Sequence, residues 1–367
     1  MSEKLEDRII EILRTIIVPS RNGDLISEDM VSGLINKNGN VGFSIEINPT
    51  EANEMEPIRK AATDAVAALE GVVSVTAVLT AEKPKQAPPS QPNASRGAQK
   101  PKLLENVGAV IAVASGKGGV GKSTTAVNLA LALKQSGLKV GLMDADIYGP
   151  SLPMMMGIDE KPDSIDGKRL LPIEKYGLKC MSIGFMVPPD TPMIWRGPMV
   201  MGALEQLMGD TDWGELDIMV IDMPPGTGDA QLTIAQRVAL AGAIIVSTPQ
   251  DLALLDAVKG LNMFQKVEVP ILGIIENMSY FLCPNCGERS EIFTSGGAEK
   301  AAVEMGYDFL GAVPLEMAIR AGADSGKPLV ASDPKSPYAL VYHSIADIVK
   351  RNALEIAKKT GPKIIIE

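Results

Sequence analysis

The sequence predicts an α/β protein with a mainly parallel, doubly wound sheet, preceded by a small α/β domain. Three observations carry this. From residue 108 onward, apolar strand-like runs alternate with helix-forming runs, which implies parallel strands joined by right-handed crossovers. Several of these runs are near-continuous Val, Ile, Ala and Leu, as strands covered on both faces require. The first run, at 110–114, feeds a glycine-rich turn and then a helix-forming stretch. The 367 residues suffice for one large domain and a smaller one. A net charge of −10 gives no global basic footprint for nucleic acid or an anionic membrane. No apolar run approaches the ~20 residues that span a bilayer, and residues 1–7 lack a signal-peptide core. The expectation is a cytoplasmic protein with neither membrane nor nucleic-acid partners.

Residues 1–80 read as the small α/β unit. Leu5, Ile9, Ile10, Ile12, Leu13, Ile16 and Ile17 mark one helix face. Residues 19–24 break it. Strands are expected at 30–35 and 41–47 around the turn signal Asn38-Gly39, a helix from Met55 to Leu69, and a third strand at 72–79. No cluster of chemistry-bearing residues appears here, which favours a regulatory or interaction module. Residues 81–104 form the expected linker: Pro84, Pro88, Pro89, Pro92 and Pro101 sit among Lys, Gln, Ser and Ala. Residues 105–367 form the large domain. Its strands are expected at 108–114, 138–143, 216–221, 242–247, 270–275 and 309–313. The helix at 123–135 is apolar nearly all round and should be deeply packed. A helix over about 338–359 closes the chain, opened by Ser336-Pro337 and stopped by Gly361-Pro362.

The turn reads S-G-K-G-G-V-G-K-S at 115–123, with Gly116, four residues, then Gly121-Lys122-Ser123. This is a phosphate-binding loop, and it makes the fold a P-loop NTPase. Glycines let backbone N–H groups surround an anion, and the following helix turns its positive end to the same phosphates. Gly116, Lys117, Gly118, Gly119, Val120, Gly121, Lys122, Ser123 and Thr124 form the expected cradle. Lys122 is placed for the β- and γ-phosphates and Ser123 for Mg²⁺. Asp144 and Asp146 end the second strand in D-A-D-I-Y-G-P-S, and Asp222 ends the third in D-M-P-P-G-T-G-D. Carboxylates at such strand ends hold Mg²⁺, which assigns Asp144 and Asp222, while Asp146 is placed to orient the attacking water. Gly226 and Gly228 let the following loop change shape when the γ-phosphate leaves. Lys117, a second lysine inside the loop, brings its charge near the nucleotide of its own subunit or of a partner.

Cys283-Pro284-Asn285-Cys286-Gly287 is the other chemical feature. Two thiolates at this spacing grip one metal centre. A redox disulfide would more often open a helix. A structural zinc site needs two further ligands, and the chain adds only Cys180 and His343, both distant in sequence. Two copies related by a two-fold axis supply four thiolates, for a bridging [4Fe–4S] cluster or a bridging zinc. Cys180, in the apparent strand L-K-C-M-S-I, reads as a buried small hydrophobe. His343 and Asp347 read as a surface pair on the last helix. Nine of the 19 methionines fall between 154 and 208, either filling the core or lining an adaptable surface.

K-G-G-V-G-K-S-T at 117–124, with the D-A-D-I-Y-G-P-S and D-M-P-P-G-T-G-D motifs, resembles the deviant-Walker dimeric ATPases. W-R-G-P at 195–198 and the C-P-N-C pair narrow the resemblance to the Mrp/ApbC iron–sulfur cluster carriers within the MinD/ParA-like superfamily. The first 80 residues resemble the small domain often fused ahead of that ATPase. The resemblance implies an ATP-hydrolysing homodimer that carries a [4Fe–4S] cluster at its interface, from an assembly scaffold to apo iron–sulfur proteins. It makes Lys117 the signature lysine acting across the dimer, Asp146 the water-orienting residue and Asn277 the adenine-contacting asparagine. Pro314 and Leu315 fall in the loop that closes over the base. Lys117, Lys122 and Asp146 are thus the expected catalytic residues, and Cys283 and Cys286 the cluster ligands. The alternatives are a MinD/ParA-like positioning ATPase, which would need the last helix as a membrane anchor, and a nucleotide-switched scaffold with structural zinc.

Overall fold

The computed structural model describes residues 5–19, 23–28, 30–37, 39–47, 52–81, 103–104, 106–165, 167, 169–187 and 197–360. Two compact units divide between Arg96 and Gly97. Most of the expected linker, together with Asn38, Trp195-Arg196 and Gly361-Pro362, lies outside the described residues.

The first unit contains α1 (Leu5–Leu13), β1 (Ile17–Val18), β2 (Gly23–Asp24), β3 (Val31–Lys37), β4 (Asn40–Ile47), α2 (Ala52–Ala67) and β5 (Ser74–Ala81). β3 and β4 pair antiparallel, and β5 joins β4 in parallel through the α2 crossover. Ile9, Leu13, Phe43, Ile45, Met55 and Val66 form its buried core. The first helix is shorter than its apolar face suggests. It ends at Leu13, and Ile17 enters a two-residue strand with its side chain exposed. The run Thr15-Ile16-Ile17-Val18 is β-branched throughout and favours extended backbone over a further helical turn.

The second unit begins with β6 (Val107–Ala114), α3 (Lys122–Gln135), β7 (Val140–Asp144), α4 (Leu152–Met156), β8 (Ile173–Lys175) and β9 (Leu178–Ser182). It continues with α5 (Gly197–Gly209), β10 (Leu216–Asp222), α6 (Asp229–Arg237), β11 (Leu240–Ser247), α7 (Asp251–Lys266) and β12 (Ile271–Glu276). The last elements are β13 (Phe281–Leu282), β14 (Arg289–Ser290), α8 (Gly297–Met305), β15 (Phe309–Ala312), α9 (Met317–Asp324), α10 (Leu329–Ser332) and α11 (Pro337–Thr360). Eight strands form one sheet in the order β15-β12-β11-β6-β10-β7-β9-β8. All neighbours are parallel except β8 against β9, an antiparallel edge. All six expected strands are present; β9 carries Cys180, and β8 adds a short edge that no strong apolar run announces.

Val110 to Ala114 and Ile218 to Asp222 are buried at every residue, so helices cover both faces of the central strands. α3 is buried at every position from Thr125 to Leu133, as its all-round apolar pattern predicts. α11 lays Ala339, Tyr342, Ile345, Ala346 and Val349 into the core, against α3 and the strands β6, β11, β12 and β15. Leu103 and Leu104, at the end of the expected linker, pack against this core and belong to the second unit. The chain leaves β6 for β7 on one side and later returns to β11 on the other, so the carboxyl end of β6 lies at a topological switch point, where such sheets bind ligands.

Candidate functional site

The phosphate loop spans residues 115–121, between β6 and α3. Its glycines are required by space as well as by backbone angle. A Cβ on Gly116 would fall 2.1 Å from the backbone carbonyl of Asp256 in α7. Gly121 has φ +81°, and a Cβ there would fall 2.0 Å from Asn277 Nδ2. Ser115 Oγ donates to Lys117 O (2.9 Å), and Gly226 N–H donates to Ser115 O (3.0 Å), which ties the D-M-P-P-G-T-G-D loop to the phosphate loop. Gly118 and Gly119 are exposed at its tip, and Lys117 is half-buried. Val120 is buried behind them. Thr124 O accepts from Asn128 Nδ2 (2.8 Å), a bond within α3.

Lys122, Ser123 and Asp222 meet at the helix entrance. The Lys122 ammonium donates to Asp222 Oδ1 and to Ser123 Oγ (3.1 Å). Both side chains of the Lys122–Asp222 pair are more than nine-tenths buried. The two oxygens expected to hold Mg²⁺ therefore already share one cation, a donor set of carboxylate and hydroxyl that suits a hard metal ion. Sheet register explains the convergence: Asp222 of β10 lies beside Val113 of β6 and Asp144 of β7.

Asp144, expected as a Mg²⁺ ligand, is engaged here as a hydrogen-bond acceptor. Its carboxyl accepts from the backbone N–H of Asp146 (3.0 Å), Ser151 (3.0 Å) and Leu152 (3.1 Å), and from Ser182 Oγ (3.1 Å). It is the anchor of the loop that carries Asp146. Burial, then the neighbouring Asp222, push the Asp144 carboxyl up to about 7 against those donors. Ser182, at the end of β9, is a supporting residue that no local motif marks. Asp146 is half-buried, and its Oδ1 accepts from Gly149 N–H (3.1 Å). Burial raises its carboxyl above the usual carboxylate range, while Lys122 pulls it down. Beside it opens a cavity of about 630 Å³, lined by Asp146, Tyr148, Pro224, Pro225 and Gln231 with Val200 and Met201 of α5. Gln231 Nε2 donates to Pro224 O and shapes that wall.

Asn277, just past β12, is buried with its Nδ2 donating to Val120 O (2.9 Å). The structure thus brings it onto the phosphate loop itself. Pro314 is buried and Leu315 N–H donates to Tyr280 O (2.7 Å), which joins the expected base loop to the segment leading into the cysteine pair.

That pair sits on the hairpin β13–β14. Cys283 N–H donates to Glu288 O (2.9 Å) and Gly287 N–H to Cys283 O (2.8 Å), with Gly287 at φ +73° completing a tight knuckle. Cys283 is half-buried, Cys286 is exposed, and both are free thiols. The N–H groups of Cys286 and then Asn285 face the Cys283 sulfur and hold its thiol below the ordinary value, the environment of a thiolate ligand. Among the described residues no group of three or more Cys, His, Asp or Glu is arranged to hold a metal ion. Cys180 is wholly buried and its thiol is pushed up to about 12 by desolvation, as a core residue. Of the clustered methionines, Met155, Met156, Met181 and Met208 are buried, while Met154 and Met199 are exposed.

Comparison with known proteins gives a consistent picture. The family described as NUBPL iron-transfer P-loop NTPase matches residues 106–350, and an iron–sulfur cluster assembly protein family matches residues 6–77. An iron–sulfur cluster carrier protein of Pseudomonas fragi is 57% identical over 245 residues, covering 66% of this chain and 85% of its own. A protein of the same description from Synechocystis is 44% identical over 345 residues, covering 93% and 95%. Among solved structures, a nucleotide-binding protein from Archaeoglobus fulgidus in complex with ADP is 38% identical, with a TM-score of 0.56 over 65% of this chain and 93% of its own. The cell-division ATPase MinD of Pyrococcus furiosus, at 24% identity and TM-score 0.50, shares the fold.

Proposed function

Because this chain belongs to the NUBPL iron-transfer P-loop NTPase family, we propose that it is a nucleotide-dependent iron–sulfur cluster carrier that works as a pair of identical subunits. One observation supports this most: a two-thiol knuckle with Cys283 half-buried and Cys286 exposed, with no group of three or more metal-ligating side chains among the described residues, beginning six residues downstream of the Asn277 bound to the phosphate loop. A [4Fe–4S] cluster takes four thiolates. Cys283 and Cys286 of two subunits supply them, and the cluster is cargo. An assembly scaffold is its donor and apo iron–sulfur proteins are its acceptors.

ATP is the nucleotide. Residues 116–124 cradle its phosphates, and Lys122 turns from Asp222 toward them. Ser123 and Asp222 would hold Mg²⁺, which supplies charge neutralisation at the β- and γ-oxygens. Asp144 stands behind them as the loop anchor. Asn277, Pro314 and Leu315 receive the adenine. Asp146 holds the attacking water through its carboxyl. Attack at the γ-phosphorus breaks the bond to the bridging oxygen, which leaves with ADP. Lys117 adds its cation from the facing subunit, an effect of ~10³–10⁵ in rate where such a charge acts in trans. The positioning-ATPase alternative would need α11 as its anchor, and the apolar face of α11 is already docked on its own domain.

The test is transfer of cluster from loaded protein to an apo-acceptor, with and without ATP, in wild type and Lys117→Ala. The variant is expected to bind ATP, to hydrolyse it roughly 10³-fold or more slowly, and to lose ATP-dependent transfer. Wild-type hydrolysis in the variant would remove Lys117 from the mechanism. Equal wild-type transfer without nucleotide would remove the coupling.

A further inference from the structure

The cysteine hairpin is too small to hold its own position. β13 and β14 contribute two residues each, and so short a ribbon is not stable alone. Its place is fixed at its roots, where the chain leaves β12 and where it returns to α8. One side chain joins both roots. Glu276, wholly buried at the end of β12, accepts from Ser279 Oγ (2.6 Å) on the outgoing side. It also accepts from the backbone N–H of Gly296 (2.9 Å) and Ala298 (2.7 Å) on the returning side.

The adjacent residue faces the nucleotide. Asn277 Nδ2 donates to Val120 O, and the Asn277 amide fills the space that a Cβ on Gly121 would need. Met278 follows at φ +55°, a left-handed backbone uncommon for a residue with a side chain. It is held there from both sides: Asn277 N–H donates to Ser247 O (2.8 Å) and Ser279 N–H to Val313 O (3.0 Å). Two consecutive residues at one strand end thus grip the phosphate loop and the roots of the cysteine hairpin. Close-packed interiors transmit displacement rather than absorb it.

We propose that Glu276 is the positioning residue that carries the nucleotide state of the phosphate loop to the Cys283–Cys286 pair. The inference rests on the carrier reading above and adds its route. A shift of Val120 O when phosphate fills the loop moves Asn277. The strand end moves with it, and Glu276 draws both roots of the hairpin along. Glu276→Gln keeps the volume but replaces one acceptor oxygen with an N–H₂ that cannot accept, so whichever way the amide sits, one returning-side N–H, that of Ala298 or that of Gly296, loses its partner and the returning root is loosened.

The experiment uses full-length, reduced, metal-free protein. Alkylation rates of Cys283 and Cys286 are read by mass spectrometry with and without a non-hydrolysable ATP analogue and Mg²⁺, and the dimer fraction is measured on the same samples. Nucleotide is expected to change the wild-type rates ~5-fold or more, the lower end of typical site–site coupling. Glu276→Gln is expected to bind the analogue and dimerise as wild type does, with the change reduced to less than about 2-fold. A residue serving only stability would alter the rates in both states and leave their ratio intact. Ser279→Ala, which removes only the outgoing bond, covers the case in which Glu276→Gln does not fold, and it too must shrink the ratio. A folded variant with the wild-type ratio at equal dimer fraction, or a wild type with no ratio, overturns the proposal. Iron and sulfide bound per subunit judge the carrier reading separately: absence of cluster alongside the expected ratios would sink that reading and leave this route standing.

Discussion

At Gly116 a side chain has no room, because the backbone of α7 passes where a Cβ would sit. Gly116→Ala is expected to cost roughly 1–3 kcal/mol, the range for overpacking a tight contact, measured by urea unfolding; unchanged stability would show that α7 yields. The thiols differ as sharply. The N–H groups around Cys283 favour its thiolate, so its alkylation rate should climb with pH at values below those of an ordinary thiol, whereas Cys180 should stay unlabelled until the protein unfolds. A Cys283 profile matching a free thiol would contradict the knuckle geometry. What was legible at this scale followed from local chemistry. The phosphate loop is a contiguous stretch whose glycines and lysine announce their task, and the cysteine spacing announces a paired-thiol knuckle. Asp144 was legible as a strand-end carboxylate, and three of its four donors are local backbone N–H groups, but the fourth, Ser182 Oγ, lies 38 residues on and no local pattern marks it. Glu276 left only a faint signal, a charge ending a buried strand, because its partners return from beyond the hairpin.

The helices and strands were legible where one pattern ran long enough. α3 and α11 fall within about a residue of their expected ends, and the six principal strands are all present. Short elements were less so: β1, β8 and the hairpin β13–β14 pair over two or three residues, too few for alternation to show. α11 makes a test at this scale. Ile345 is buried where the helix crosses β15, beside Gly311. Ile345→Ala should lower stability by ~2–5 kcal/mol, as for other large-to-small core changes, and the wild-type protein should remain in the supernatant when anionic liposomes are pelleted. Pelleting with the liposomes, together with a stability unaffected by the substitution, would mean that this helix is free to anchor.

At the scale of the whole molecule, a phosphate loop stands on the same chain as a two-thiol knuckle, which the proposed function reads as half of a soft-metal site. The cradle and its aspartates come together because β6, β10 and β7 lie side by side with their carboxyl ends in register. The sequence order of those strands does not reveal that adjacency, but the motif order does. In the proposed carrier, a second copy completes the half-site, so no reading of a single chain would display the finished centre. Its direct test is iron and acid-labile sulfide analysis of anaerobically reconstituted protein, combined with its mass in solution and compared with Cys283→Ala. The account predicts a dimer with roughly two iron atoms and two sulfides per subunit, as one four-thiolate cluster shared by two chains requires, and loss of both in the variant. A monomer carrying a full cluster, or a dimer holding zinc without sulfide, would contradict it.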